Sequence, residues 1–432
     1  MPTSDHEFEI RSQRVVTPDG EIAASIKVRA GQIVELGDYA ASQAEDLGKL
    51  AILPGLVDPH VHINQPGRTK WEGFETATRA AAAGGVTTLV DMPLNSSPVT
   101  TTVAALKAKR EASAGKLHVD VGFHAGLVPG NEQQIEGLLD AGVLGVKAFL
   151  CHSGIDEFPA ATEKELRAIM PLLARRDVPL LVHAEIESAV PAMSDPRRYA
   201  DYLATRPPKF ERDAIGLMIR LCRETGCPTH IVHLADAPSI AKLQAAQAEG
   251  LPLTVETCPH YLTFAAEEIP DGATQYKCAP PIRNAANREG LWQGLADGVI
   301  DFIASDHSPC PPDLKQLEAG RFDLAWGGIS SLQLNLPAVW TEASRRGHSL
   351  SQVTEWLSNR PARLVNRTAR IEVGTTANLV VFDPDSEFVV CGEDLQHRHP
   401  ITPYEEKTLR GLVMRTYLRG EWLANEPRGE VL

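Results

Sequence analysis

Long apolar runs are missing from this 432-residue sequence, and so is any signal for export. No stretch approaches the roughly 18 consecutive apolar residues that a membrane-spanning helix needs. The first residues, Met1 to Glu9, are polar and acidic and lack the charged-then-apolar order of a secretory signal. These absences exclude a membrane protein as an expectation and predict a cytoplasmic location.

Basic clusters and paired cysteines are also scarce. The formal net charge is −14, and lysine and arginine form no long runs, which disfavours nucleic acid and anionic membranes as partners. The seven cysteines are scattered and odd in number, and Cys222 and Cys227 form no CxxC motif. This usage is typical of free thiols in a reducing cytosol. A small molecule is therefore the expected partner.

The two ends of the chain have a β texture that differs from the middle. Residues 8–37 and 378–418 contain short alternating strands separated by turn signals such as Pro18-Asp19-Gly20 and Arg419-Gly420. The pattern at the start of the chain predicts a small antiparallel sheet. Neither end could bury a core alone, so we predict one discontinuous β domain from residues 1–54 and 373–432.

Between these ends, apolar strands alternate with helix-like segments. Eight runs have strand character: Gly55–His62, Val86–Asp91, Val119–His124, Val143–Phe149, Pro179–His183, Pro228–His233, Pro252–Thr257 and Val299–Ser305. Helices are predicted at Glu72–Ala83, Thr101–Ala114, Glu132–Ala141, Thr162–Arg175 and Asn287–Asp297. Thr69-Lys70-Trp71-Glu72 has the spacing of a capping box at the first helix, which Gly84-Gly85 would end. Eight alternations over residues 55–372 predict an α/β fold, a (β/α)8 TIM-type barrel.

Polar side chains stand at the ends of five of these strands. Residues two apart on a strand share a face, so His60 and His62 project together. The full set is His60, His62, Lys147, His183, His233 and Asp306. Each alone is commonly structural, but active groups of such barrels gather at the carboxyl ends of the strands. Neutral imidazoles meeting there suit a divalent metal, although an ordinary lysine, with a pKa of about 10.4, would repel it.

The motifs around these residues resemble those of the cyclic amidohydrolases. The resemblance rests on Pro59-His60-Val61-His62, Gly145-Val146-Lys147, His183, His233 and Ser305-Asp306-His307-Ser308-Pro309. It implies a binuclear metal centre in which carbon dioxide converts Lys147 to a carbamate that bridges the metals. His60, His62 and Asp306 would hold one metal, and His183 and His233 the other. Zinc is the expected metal, with cobalt, manganese or nickel as alternatives. Two divalent cations together with the carbamate, Asp306 and a hydroxide would carry a formal charge of about +1, which a partly buried site tolerates.

The same resemblance implies a reaction. Two metals that share a water lower its pKa from about 15.7 toward about 7, so that a bridging hydroxide exists at neutral pH. Asp306 would take the attacking proton and pass it to the leaving nitrogen, as general base and then acid. The expected chemistry is hydrolysis of a ring amide.

Within this group the chain looks most like the allantoinases, over essentially its whole length. The similarity lies in residues 62–74, 91–96, 152–158, 308–312 and 325–329. Dihydroorotases place a carboxylate-clamping arginine where this chain has Asn64, and allantoin is neutral. The substrate would contact Asn95 and Ser308, although a turn-forming asparagine and a helix-capping serine explain these residues equally well. Gln65 departs from the glutamate common in the family. The resemblance also implies a homo-oligomer.

Alternatives stay open at this stage. Another ring specificity, that of a hydantoinase, a dihydropyrimidinase or a dihydroorotase, would use the same strand-end residues. A catalytically dead scaffold relative would typically have lost metal ligands, and all six are present. The further histidines at 124, 152, 260 and 307 are expected to support the metal histidines or to be structural.

Overall fold

The structure is a computed structural model that describes residues 7–424 and 426–432. The prediction made for the polar start of the chain lies mostly in residues 1–6, outside the described residues. Among the described helices, none combines the length and the apolar character that crossing a bilayer requires.

Strands from both ends of the chain share one sheet. Its members are β1 (Glu7–Thr17), β2 (Gly20–Arg29), β3 (Gln32–Asp38), β4 (Glu45–Asp46), β5 (Ala51–Pro54), β15 (Leu379–Val389), β16 (Thr408–Leu418) and β17 (Glu421–Trp422). Their order is β17-β16-β15-β5-β1-β2-β3, with β4 beside β1. The antiparallel sheet predicted for residues 8–37 is confirmed by β1, β2 and β3, and beyond it the chain crosses over and brings β4 and β5 parallel to β1. The domain limits at residues 54 and 372 stay predictions.

The middle of the chain supplies parallel strands. They are β6 (Leu56–Val61), β7 (Val86–Asp91), β8 (Asp120–Phe123), β9 (Ala125–Gly126), β10 (Val146–Phe149), β11 (Leu180–His183), β12 (Thr229–Ile231), β13 (Leu253–Thr257) and β14 (Phe302–Ile303). Each predicted apolar run contains one of them. Almost every strand residue is buried, as expected for parallel strands covered on both faces. The fold is therefore α/β with parallel sheets.

These strands form two sheets. One has the order β6-β7-β8, and the other runs from β9 to β14 in chain order. Residue His124 alone separates β8 from β9. On the other side, Val61 forms an isolated parallel bridge with His307, and the backbone N–H of His62 donates to the carbonyl of His307 at 2.9 Å.

Helices follow most of the parallel strands. They are α1 (Phe74–Ala83), α2 (Val103–Ser113), α3 (Ile135–Asp140), α4 (Glu163–Arg176), α5 (Tyr199–Thr205), α6 (Lys209–Thr225), α7 (Ile240–Ala248), α8 (Pro259–Thr263), α9 (Ala285–Ala296), α10 (Pro312–Lys315), α11 (Asn335–Arg345), α12 (Leu350–Thr354) and α13 (Arg360–Leu364). The five predicted helices match α1 to α4 and α9 within a few residues. At α4 a capping box joins Thr162 and Glu165, which fixes its first turn.

The capping box predicted at Thr69 is wrong. Helix α1 begins at Phe74, and Gly73 precedes it with a φ of 125°. The Oε1 atom of Gln65 accepts a hydrogen bond from the backbone N–H of Phe74 at 3.0 Å and so satisfies the helix start. Glu72 is instead fully buried and accepts from His307 Nε2 at 3.2 Å. Gly84 ends the helix, as predicted.

Candidate metal centre

Two predicted histidines and the predicted aspartate converge on one point. His60 lies near the end of β6, His62 follows it, and Asp306 lies three residues beyond β14. The Oδ1 atom of Asp306 is 3.3 Å from His60 Nε2 and 3.4 Å from His62 Nε2. One ligand atom from each residue fits within a 4.8 Å group. Two imidazole nitrogens and a carboxylate oxygen form a donor set that suits a divalent transition metal.

The other two predicted histidines adjoin this group. The ring of His233 lies 5.5 Å from that of His60 and 4.6 Å from that of His183, between ring centroids. Burial lowers the pKa of His62, His183 and His233 below the usual histidine value. These imidazoles are therefore neutral near pH 7, which is the form that binds metals.

Lys147 stands in this cluster as a buried amine without a partner. Its side chain is fully buried, and Nζ has no hydrogen-bond acceptor. Nζ lies 5.2 Å from the ring centre of Phe149, which stacks on His183 at 4.3 Å. Burial lowers the pKa of Lys147 to about 8, against the opposing effect of Glu256 and Asp306. An orphaned buried amine among neutral histidines fits a centre that the chain alone leaves incomplete.

The backbone at two of these residues is unusual. His233 has a φ of 39° and Asp306 a φ of 45°, values in the left-handed region that residues with a Cβ atom rarely adopt. Each such conformation costs on the order of 1 kcal/mol and tends to occur at functional sites. The fold thus holds His233 and Asp306 in place against local preference.

All six strand-end residues line one cavity of about 600 Å³. The two predicted substrate contacts, Asn95 and Ser308, line it as well. Asn95 has a φ of 68°, as a turn-forming asparagine would, and its Nδ2 lies 3.4 Å from His62 Nδ1. Ser308 is buried and does not cap a helix, since α10 begins four residues later. A cavity of this size accommodates a small cyclic molecule.

Asn64 and Gln65 are not among the residues that line this cavity. The Nδ2 atom of Asn64 donates to the carbonyl of Pro309 at 3.3 Å. Gln65 donates to the carbonyl of Ala112 and accepts from Phe74 at the start of α1. Asn64 therefore binds the backbone of Pro309, which is also not among the residues lining the cavity. Gln65, the residue that departs from the family pattern, caps the start of helix α1.

Two buried glutamates that the sequence did not single out orient the histidines. His60 Nδ1 lies 2.5 Å from Glu256 Oε1, and His183 Nε2 lies 2.8 Å from Glu185 Oε2. Glu256 also faces His230 at 3.0 Å, and Glu185 pairs with Arg206. Carboxylates in this position fix the tautomer of a metal-binding histidine. A glutamate inside an apolar strand, as in Val255-Glu256-Thr257, was the signal available.

The four further histidines were expected either to support the metal histidines or to be structural, and the backbone carbonyl of His307 accepts a hydrogen bond from the N–H of His62. His124 contacts the carbonyl of Pro59 at 3.1 Å, and His307 contacts Glu72. His260 is fully buried, and neither of its ring nitrogens has a partner. His152 is exposed at the cavity and accepts from Gly154. Among the described residues, side chains that contact the rings of His60 and His183 include the glutamates at 256 and 185, so these carboxylates join the candidates for support.

Comparison with known proteins agrees with this geometry. Residues 51–423 match the model of the amidohydrolase family. The chain is 50% identical to an allantoinase from Streptomyces avermitilis, over 99% of both chains. It is 47% identical to an allantoinase from Arabidopsis thaliana over 98% of this chain and 88% of that one, and 42% identical to an allantoinase from Saccharomyces cerevisiae over 99% and 95%.

Solved structures are also similar to this chain over nearly its whole length. An L-hydantoinase (dihydropyrimidinase) from Arthrobacter aurescens superposes with a TM-score of 0.89 at 30% identity, covering 98% of this chain and 97% of that one. A dihydropyrimidinase from Brevibacillus agri superposes with a TM-score of 0.88 at 26% identity, covering 99% and 98%. From its sequence match and its architecture, the chain belongs to the amidohydrolase family.

Proposed function

We propose that this protein hydrolyses the cyclic amide of allantoin to allantoate, a step of purine and ureide catabolism. The observation that carries the proposal is the meeting of Asp306 with His60 and His62 beside the unpartnered amine of Lys147, at one cavity. The full-length relatives named allantoinase support this ring specificity.

We propose that the parallel strands close into a (β/α)8 barrel. The bridge between Val61 and His307 supports closure between β6 and the segment after β14. Hydrogen bonds from His124 to Asp91 and from Ala125 to Gly145 support continuity from β8 into β9. In such a barrel the residues after the strands share one mouth, and the cavity lies there.

The donor set fits two divalent cations, which we propose to be zinc, with cobalt, manganese or nickel as alternatives. His60, His62 and Asp306 would hold one cation, and His183 and His233 the other. When bound, the pair would supply a water of lowered pKa and would polarise the ring carbonyl. Histidine and carboxylate ligands suit all four of these metals.

Lys147 would complete this centre as a carbamate. The uncharged amine attacks carbon dioxide, an N–C bond forms as one C=O π bond opens to a carboxylate oxygen, and the nitrogen releases one proton to solvent, so that a neutral amine becomes an anion. Burial lowers the pKa of Lys147 to about 8, which gives a sizeable uncharged fraction at neutral pH. Carbamate formation would also resolve the unpartnered state of Lys147 Nζ, because the new oxygens could bind the two cations.

Asp306 would move the proton. Burial alone would raise the pKa of Asp306, but electrostatic attraction to the nearby imidazole of His60 and a hydrogen bond with His62 lower it to about 2. The carboxylate is therefore ionised and can accept the proton of the attacking water. It then returns this proton to the ring nitrogen as the C–N bond breaks, which makes nitrogen a better leaving group.

Hydantoin hydrolysis is the second candidate, because the similar solved structures carry the names hydantoinase and dihydropyrimidinase. Allantoin is a hydantoin ring with a ureido arm, so both reactions would use the same proton transfer. The relatives that are 42–50% identical over nearly the whole chain bear the name allantoinase and favour the larger substrate.

A substrate panel with metal analysis tests the proposal. The purified protein is assayed on allantoin, hydantoin, dihydrouracil and dihydroorotate, with metal content measured on the same sample. We expect preferred turnover of allantoin, about two metal ions per chain, and a Lys147 peptide heavier by carbon dioxide in native conditions. Preference for dihydroorotate or hydantoin would overturn the specificity, and an inactive, metal-free protein would favour a scaffold.

We further propose a cytoplasmic homo-oligomer that acts on a small molecule, without nucleic acid or membrane as partner. The net charge of −14 supports the exclusion of polyanions. Size-exclusion chromatography with light scattering would measure the oligomeric state.

A further inference from the structure

Lys315 carries a buried charge that the proposed reaction does not use. It ends the short helix α10, and its side chain is only 3% exposed. Its Nζ donates to three backbone carbonyls, those of Lys277 at 3.2 Å, Trp326 at 3.0 Å, and Gly328. An ammonium group has three donors, so these carbonyls satisfy Lys315 completely.

The three carbonyls belong to two walls of the catalytic cavity. Residues 277–279 and 324–328 both line it. The backbone N–H of Gly328 also donates to the carbonyl of Lys277 at 2.8 Å, which joins the walls directly. Gly328 packs so closely on Ser308 that an added Cβ atom would lie 2.3 Å from the carbonyl oxygen of Ser308. Lys315 thus links α10 to both walls, one of which packs on Ser308 through Gly328.

Burial of the Lys315 ammonium is not explained by a gain in folding stability. A buried charge loses its hydration, and an apolar side chain of similar shape often stabilises a fold as well or better. Burial accordingly lowers the pKa of Lys315, and the groups that oppose this are the thiols of Cys310 and Cys278 rather than a carboxylate. The ammonium therefore makes three hydrogen bonds that fix the two walls relative to each other, which an apolar side chain could not do.

We propose that Lys315 is a positioning residue that holds the backbone of residues 326–328 where a cyclic ureide is recognised. The N–H groups of Trp326 and Gly328 and their carbonyls are hydrogen-bonded within the protein, and Gly327 between them has no side chain, so the wall offers the peptide N–H and C=O of Gly327 to a ligand. The edge of a cyclic ureide alternates N–H and C=O and matches such groups. The kinetic part of this inference rests on the proposed function.

Hydrogen exchange tests the structural part without any substrate. The variant is K315M, which keeps the length and removes all three donors, and the control is K164M, at a side chain that is 87% exposed. We expect faster exchange in residues 324–330 of K315M, with residues 56–64 unchanged. Unchanged exchange in residues 324–330 would overturn the proposal.

Kinetics separate positioning from general destabilisation. We expect K315M to raise KM for allantoin about tenfold while kcat falls less than threefold, because a wall that Lys315 no longer holds in place binds the substrate less well in ground and transition state alike. A fall in kcat at unchanged KM, with a lower melting temperature, would mean a purely structural role and would also overturn the proposal. If K315M does not fold, the same measurements on K315Q decide. If the wild-type protein does not hydrolyse allantoin, the proposed function is wrong. The hydrogen-exchange comparison still tests the structural role of Lys315 in that case.

Discussion

One oxygen of Asp306 faces both His60 and His62, so this carboxylate can both hold a metal and receive a proton. Asp306→Asn keeps a carbonyl oxygen for the metal but removes the proton acceptor. We expect turnover of allantoin to fall about a thousandfold with little change in melting temperature, since general acid–base groups contribute about 10²–10⁴-fold.

The measurement for Asp306→Asn is steady-state kinetics together with metal content. The matched control is Asp323→Asn, a carboxylate that lines the same cavity but pairs with Arg321. Near-full turnover of Asp306→Asn with normal metal content would rule out the proton-transfer role.

Glu256 decides which nitrogen of His60 is free. Because Glu256 Oε1 accepts from His60 Nδ1 at 2.5 Å, Nε2 keeps its lone pair toward Asp306. Glu256→Gln weakens this acceptor, and we expect the metal dissociation constant to rise about 10–100-fold. Titration of the metal-free protein measures it, with exposed Glu268→Gln as the control. Equal affinities would show that Glu256 does not orient the ligand.

At the scale of helices and strands, the sequence predicted best where the signal is local. The parallel strands were recognisable because strands buried on both faces read as continuous apolar runs. Helix α4 matches its predicted position, and Thr162 and Glu165 cap it from within its own first turn. Such features depend on residues that are neighbours in the chain, so no knowledge of the tertiary fold was needed.

Features that depend on distant residues escaped prediction. Asn64 turns away from the cavity because its amide finds Pro309, 245 residues further along. Glu72 is buried against His307 and Arg398 rather than capping a helix. The strand-end histidines, Lys147 and Asp306 were recognisable as candidates because each lies at or just after an apolar run, where the active groups of alternating strand–helix folds gather. Their glutamate supports were not, because a buried glutamate has many possible partners.

Helix α1 offers a test of this long-range capping. Gln65→Ala removes the acceptor for the Phe74 N–H, so we expect a loss of about 1 kcal/mol of stability, as for other helix caps. Turnover should change little, since Gln65 is not among the residues lining the cavity. Thermal unfolding and an allantoin assay measure both effects. Exposed Gln244→Ala, inside α7, serves as control, and equal melting of the two variants would refute the cap.

Across the whole molecule, the candidate ligands come from five parallel strands or the segments that follow them. Residues from β6, β10, β11, β12 and the chain after β14 meet at one cavity. Bound metal would therefore tie together segments from residue 60 to residue 306, and these contacts exist only in the folded chain. Two of the candidate ligands, His233 and Asp306, also have costly left-handed backbone conformations, and metal binding would help to offset this cost.

Metal removal should consequently destabilise the entire fold rather than one loop. A ligand at a hundred times its dissociation constant stabilises a native state by about 2.7 kcal/mol, so chelation should lower the melting temperature by several degrees. Adding zinc back with bicarbonate should restore it in a concentration-dependent manner, and zinc without bicarbonate only in part, if Lys147 contributes as a carbamate. Calorimetry of both forms measures the difference.

The terminal sheet should melt together with the parallel strands, because Phe382 of β15 packs in the same core as Leu56 of β6. Coincident melting of the metal-free and metal-loaded protein would mean that no such centre links these strands.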